Sequence, residues 1–256
     1  MLFSDRPRAH YRNAPVHEVI CQLRFPTILT INTAAPADLQ EAVREEFPRY
    51  AQRQEARPPL PGGQAQSPVV NYAFLSEDGA WKLSLTQDFI ALSTLRYDGW
   101  ESFAQRLDKP LASFIRLYRP AFFQRVGLRY INLISRERLG LVGTPWAELI
   151  APAYVGPLLE EDVREASVVG CGVDLVLKLD SSCAAKIHAG PGMVKKAGAG
   201  AAQDPEAKFV FDMDLSMGGS VSTALSAGAL ETLHGHAGRV FEGAVTDALR
   251  EAMDPA

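Results

Sequence analysis

Two segments of the chain alternate between apolar and polar residues and echo each other. In Val16 to Phe25 (VHEVICQLRF), His17, Val19, Cys21, Leu23 and Phe25 fall on one face of a strand, and Val16, Glu18, Ile20, Gln22 and Arg24 on the other. Neither face is purely polar, which predicts a strand with both sides at least partly covered. In Phe122 to Ile134 (FFQRVGLRYINLI) the same cadence returns and sets Arg125 and Arg129 on one face with Gly127 between them. Between these strands, Leu39, Val43, Phe47 and Tyr50 recur at helical spacing behind Pro36, with Pro48 expected to interrupt the helix near its end. Arg57 to Pro68 (RPPLPGGQAQSP) is a loop by composition. Strands are predicted over Val69–Leu75, Trp81–Thr86 and Phe89–Tyr97, with Asp78-Gly79 and Gln87-Asp88 as turns. A helix follows from Asp98, which forms a capping-box pattern with Glu101; Trp100, Phe103, Leu107, Leu111, Phe114 and Leu117 make its apolar stripe, and Pro110 predicts a kink or break near Lys109.

The second half repeats this order. After Phe122–Ile134, Thr144 caps a short helix, strands are expected over Ser167–Leu179, Cys183–Ala189 and Lys208–Leu215, and a closing helix over Leu230–Met253 turns Leu233, Val240, Phe241, Val245 and Leu249 inward. The pattern predicts an α+β fold with a mainly antiparallel sheet. Two pseudo-repeated β-α-β-β-β-α halves, residues 1–120 and 121–256, would pack as one integrated unit, with Val16–Phe25 and Phe122–Ile134 as equivalent strands. Gly190 to Pro205 (GPGMVKKAGAGAAQDP) reads as a long mobile hairpin loop.

Composition narrows the function classes. The chain has 256 residues, 47% hydrophobic and 22% charged, enough to bury a core without disulfides. The net charge is −4, with no Lys/Arg block, so the electrostatic footprint of nucleic-acid binding is missing. Cys21, Cys171 and Cys183 form no CxxC pair and fit a reducing compartment. The N-terminal MLFSDRPRAHYRNAP lacks the apolar stretch of a signal peptide, and no run has the length of a membrane span; a soluble cytoplasmic protein is expected.

Arg125 and Arg129, about 13 Å apart on one strand face, could clamp a phosphate or carboxylate across Gly127. The structural alternative pairs one of them with Glu18, at a comparable place in the first-half strand. On the second-half sheet, Asp212 and Asp214 share a face, as do Lys186 and His188, and Asp174 and Lys178. Asp212, Asp214 and His188 could hold a metal or perform acid–base chemistry; alternatively, these charges line a solvated sheet face joined by cross-strand pairs. His234 and His236 lie on different helix faces and cannot bind one metal together from a regular helix. Gly198–Ala201 is neither a Walker loop nor a dinucleotide fingerprint, so no cofactor is indicated. Ser135, Ser181 and Ser182 lack a GxSxG context, and Cys21 and Cys183 read as core thiols.

YRNAPVHEVICQLRFP (Tyr11 to Pro26), YDGWESF (Tyr97 to Phe103), RVGLRYIN (Arg125 to Asn132) and FEGAVTDALREAM (Phe241 to Met253) resemble a sporadically distributed, functionally uncharacterised prokaryotic protein family of about this length. RVGLRYIN together with the P-x-x-E-V strand is the most specific part, and the resemblance spans nearly the whole chain. It implies no activity, ligand or catalytic residue; sporadic distribution implies an accessory, defence-linked or regulatory role. The leading expectation is a non-enzymatic binding or regulatory protein for a partner protein or a small anionic ligand, with Arg125, Arg129 and Glu18 as ligand residues. The alternatives are a metal-assisted hydrolase using Asp212, Asp214 and His188, and a subunit of a defence or toxin-neutralising complex.

Overall fold

The computed structural model describes residues 2–55, 68–195 and 203–256. Among these the chain forms β1 (Val16–Arg24), α1 (Ala37–Val43), β2 (Arg49–Glu55), β3 (Val69–Leu75), β4 (Trp81–Leu85), β5 (Phe89–Thr94), α2 (Trp100–Tyr118) and β6 (Phe123–Ile134). Then follow α3 (Trp146–Leu149), α4 (Pro152–Val155), β7 (Val173–Lys178), β8 (Cys183–Lys195), β9 (Gln203–Val221), α5 (Ser226–Ala244) and α6 (Asp247–Ala252). The fold is α+β with a large antiparallel sheet, whose strand order is β2-β3-β4-β5-β1-β6-β9-β8-β7. Among the described residues no helix is long and apolar enough to cross a membrane.

The contacts divide the chain into two compact units. Unit I comprises the chain up to His17, Arg129–Leu215 and Thr232–Ala256; unit II comprises Glu18–Leu128 and Ser216–Glu231.

In unit II, β1 buries Val19, Cys21 and Leu23, followed by Phe25, while Glu18, Ile20 and Gln22 on the other face are half-covered. It pairs with β5, with Cys21 opposite Leu92 and Leu23 opposite Ile90. α2 lays its stripe on this sheet: Phe114 meets Phe25 at 4.8 Å between ring centroids, and Phe103 meets Trp81 at 5.7 Å. The helix runs through Pro110 without breaking. Proline there removes one backbone donor, but burial of Leu107, Pro110, Leu111 and Phe114 on one face holds the helix together.

Three expectations for this unit change. α1 ends at Val43 rather than near Tyr50, although Phe47 is still buried in the core. The residues after Pro48 form β2, paired with β3 along its whole length, so the first half reads β-α-β-β-β-β-α. β2 (RYAQRQE) is exposed on both faces and stands at the end of the sheet, so it carries no apolar alternation to reveal it. At the start of α2, Gly99 takes the capping position at φ +151°, a region that favours glycine, and Asp98 makes no cap hydrogen bond. Of the expected loop Arg57–Pro68, residues 57–67 lie outside the described residues.

In unit I, β9 buries Phe209, Phe211, Met213 and Leu215, as its alternation predicts. β8 and β9 run into the segment expected as a loop, to Lys195 and from Gln203; residues 196–202 lie outside the described residues. β7 starts at Val173, later than Ser167, which instead ends a short 3-10 turn. The closing helix is two helices. Val245 forms an antiparallel bridge with Ile150, and the Thr246 hydroxyl accepts from the Leu249 N–H to cap α6. α3 is not capped by Thr144. Its Trp146 N–H donates to Glu165, whose other oxygen receives the Arg136 guanidinium at 2.7 Å.

The N-terminal segment of unit I is strapped along α5 and α6. The Ser4 N–H donates to the Arg239 carbonyl at 2.9 Å, Arg6 pairs with Asp247, and Arg12 pairs with Asp254. The buried Glu242 carboxylate accepts from the Ala9 N–H and the Tyr11 hydroxyl, with Arg250 at 3.7 Å. Burial and this carboxylate push the Tyr11 phenol above its ordinary range. Close approach needs a glycine at 243, where a Cβ would stand 2.7 Å from the Leu2 carbonyl oxygen. Gly243→Ala is therefore expected to lower stability by about 1–3 kcal/mol through overpacking. Gly235→Ala, in the same helix with nothing within 4 Å of the added carbon, is expected to raise it by about 0.5–1 kcal/mol. Urea-denaturation midpoints of the two variants check both signs.

Candidate functional site

Unit II contains a solvent-open cavity of about 570 Å³. Its wall is built from Glu45 and Glu46 just beyond α1, the β3–β4 turn, the segment after β5, and the first turns of α2. Five carboxylates (Glu45, Glu46, Glu77, Asp78 and Asp98) face two guanidinium groups, Arg96 and Arg106.

The two arginines are already balanced. Arg96 pairs with Asp78 at 2.8 Å, and the other oxygen of Asp78 accepts from the Ser76 hydroxyl and the Ala80 N–H. The Ser76 and Ala80 hydrogen bonds, with Arg96, hold the Asp78 carboxyl below its usual range. Arg106 lies over the ring of Trp81 at 4.7 Å and that of Phe47 at 5.7 Å, with Glu46 at 3.7 Å. Glu45 has Lys109 at 3.3 Å. Glu77 and Asp98 line the cavity exposed, and neither has a side-chain hydrogen bond or ion pair among the described residues. Asp98 is available because Gly99 displaced it from the cap of α2.

The arginines of β6 are engaged within the fold. In unit I, the Arg129 Nε donates to the Asp212 Oδ1 at 2.8 Å, and a second guanidinium nitrogen meets the Asp212 Oδ2 to complete a two-pronged pair. In unit II, the Arg125 guanidinium folds over Gly127, its nearest nitrogen 2.2 Å from where a Cβ would be. The low surface that Gly127 creates is thus filled by Arg125 itself. Glu18 is half-covered and forms no ion pair among the described residues; the partner of Arg129 is Asp212. Full burial pushes the Cys21 thiol up to about 12, and the nearby Arg125 guanidinium only partly offsets this.

On the sheet face of unit I, His188 bonds to Asp174, directly opposite it in the β7–β8 register, at 3.0 Å. With Asp212 held by Arg129 and His188 by Asp174, these two members of the proposed Asp212–Asp214–His188 set are occupied by pairs on the sheet face. His234 and His236 do face different ways. The Nδ1 of His234 meets the Tyr130 hydroxyl at 2.8 Å and Arg8 at 3.0 Å, and burial with Arg8 lowers its pKa to about 3.

One convergence escaped the sequence. Asp180 and Cys183, in the β7–β8 turn, meet His236 from α5, and their ligating atoms all lie within 4.8 Å of one another. It is the one such group of three or more among the described residues. Local spacing carried half of the signal, an Asp-x-x-Cys turn; the histidine is brought in only by the packing of α5. No family model, no curated protein and no solved structure matches this chain.

Arg129→Ala is expected to destabilise the protein by about 1–2 kcal/mol, because it strands the largely buried Asp212 carboxylate. Adding Asp212→Asn should return part of the loss. Chemical denaturation of the two single variants and the double variant measures this coupling; purely additive effects would show that the pair contributes nothing.

Proposed function

We propose that this protein is a binding protein whose recognition site is the unit II cavity, and that its ligand is a small molecule bearing an amine or guanidinium group. The observation that carries this reading is the pair of carboxylates, Glu77 and Asp98, that have no partner among the described residues and lie on a cavity whose own cations are already balanced. A volume of about 570 Å³ suits a small organic ligand. The anionic ligand anticipated from Arg125 and Arg129 loses its support, since Asp212 neutralises one arginine and the other covers Gly127. The proposed ligand charge is therefore opposite in sign to the one anticipated from the sequence.

The site is open, so each carboxylate contributes modestly, about 0.5–1 kcal/mol as in other exposed ion pairs. Removing both lowers affinity roughly tenfold. Isothermal titration with spermidine and with arginine amide at low ionic strength should give one saturable site. Binding should weaken about tenfold in Glu77→Gln/Asp98→Asn and weaken further with added salt. Absence of saturable binding by both probes, or equal binding by the double variant, would overturn the reading.

A further inference from the structure

We propose that Asp180, Cys183 and His236 form a binding site for a zinc-class divalent cation, with three protein ligands and a fourth position open to solvent. The site belongs to unit I and is independent of the ligand reading for the unit II cavity.

Three different donors meet here. Asp180 and Cys183 are three residues apart in the turn that ends β7 and begins β8, and His236 projects from α5. Carboxylate, thiol and imidazole donors within 4.8 Å of one another span the space of a single ion. From metal–ligand bonds of about 2.0–2.3 Å, ligand atoms round a tetrahedral zinc stand about 3.5 Å apart. The Asp180–His236 distance is 3.0 Å, so closure on an ion needs side-chain shifts of an ångström or less for this pair.

The carboxylate is already aimed. The Oδ1 of Asp180 accepts from the Ser182 N–H at 2.7 Å, the Cys183 N–H at 2.7 Å and the Ser182 hydroxyl at 3.0 Å. These bonds fix the carboxylate plane and leave Oδ2 directed at His236 Nε2. Outer hydrogen bonds of this kind are what orient a first-sphere carboxylate. The same donors favour the ionised carboxylate and hold its pKa far below the usual range.

The donor set selects the ion. Sulfur and imidazole together favour zinc and its softer neighbours and disfavour magnesium and calcium, which take oxygen. Access is one-sided. Cys183 is 2% exposed and forms the floor, while the Asp180 and His236 side chains are 38% and 20% exposed and give the ion its entry. On binding, the Cys183 thiol gives up its proton to solvent as it becomes a thiolate ligand, and His236 coordinates through Nε2 as a neutral imidazole with its ring proton on Nδ1. A water completes the fourth position on the exposed side.

Cobalt(II), titrated into the metal-free full-length protein, is the probe. The expected result is a thiolate-to-cobalt charge-transfer band with four-coordinate ligand-field bands, saturating at one equivalent and bleached by zinc. Cys183→Ser should abolish the charge-transfer band. His236→Gln and Asp180→Asn, with folding checked by circular dichroism, should each weaken binding at least tenfold, and Cys171→Ser should leave it unchanged. Zinc should also raise the melting temperature of the wild type and not of His236→Gln. Absence of the charge-transfer band in the folded wild type, or its persistence in folded Cys183→Ser, would overturn the proposal.

Discussion

A strand in the interior of a sheet has no free edge, so its backbone must be paired along both sides and its apolar face must be covered. β1 stands fifth of nine in the strand order, and Val19, Cys21, Leu23 and the following Phe25 are fully buried. That requirement organises unit II. β5 supplies Ile90 and Leu92 opposite Leu23 and Cys21, and α2 supplies Phe114 over Phe25. With α2 fixed by this core, its first turns carry Ser102 and Arg106 to the cavity, while Phe103 anchors them against Trp81. In unit I the same demand falls on the later part of β6. Tyr130, Asn132 and Ile134 are buried there, and the Asn132 amide donates to the Phe211 carbonyl rather than remaining unsatisfied.

Most of the strands that were legible in the sequence have one buried and one wetter face, and β5, buried on both, is the exception. β1, β7, the first part of β8 and the inner part of β9 announce themselves because residues such as Val19, Cys21 and Leu23, or Phe209, Phe211 and Met213, recur at every second position, while β3 to β5 are short apolar runs bounded by the turns at Asp78-Gly79 and Gln87-Asp88. β2 does not, since both of its faces are exposed and its existence depends on β3. Helix ends failed for a related reason. Asp98 and Thr144 have the chemistry of caps, yet Gly99 takes one place, and Glu165, distant in sequence, satisfies the Trp146 N–H in the other. Local propensity proposes a cap, and tertiary structure chooses among the donors and acceptors that arrive.

The charged residues followed the same division. Face-sharing of Asp212 with Asp214, and of His188 with Lys186, follows from strand periodicity and was legible. The pairing of Asp212 with Arg129 was not, because it joins residues far apart in the chain. The Asp174–His188 pair agrees with a solvated face held by cross-strand contacts. Asp180, Cys183 and His236 went unnoticed since each is unremarkable alone: one lies in a turn, one reads as a core thiol, and one sits on a helix two residues from another histidine that faces elsewhere. The duplication of halves rested on the echo between two strands and, chiefly, on element order, and the extra β2 makes the two orders differ.

Trp81 lies in the cavity wall with the Arg106 cation 4.7 Å above its ring, and that contact has an optical side. The emission of an indole responds to a cation held against its face, so any occupant that shifts Arg106 changes the fluorescence of the protein itself. Trp100 and Trp146, the other two indoles, are held by Glu231 and Arg136, so loss of the response in a Trp81→Phe variant assigns it to Trp81. The cavity thus carries its own unlabelled gauge of occupancy, one that reports a ligand whose identity is unknown as readily as one already in hand.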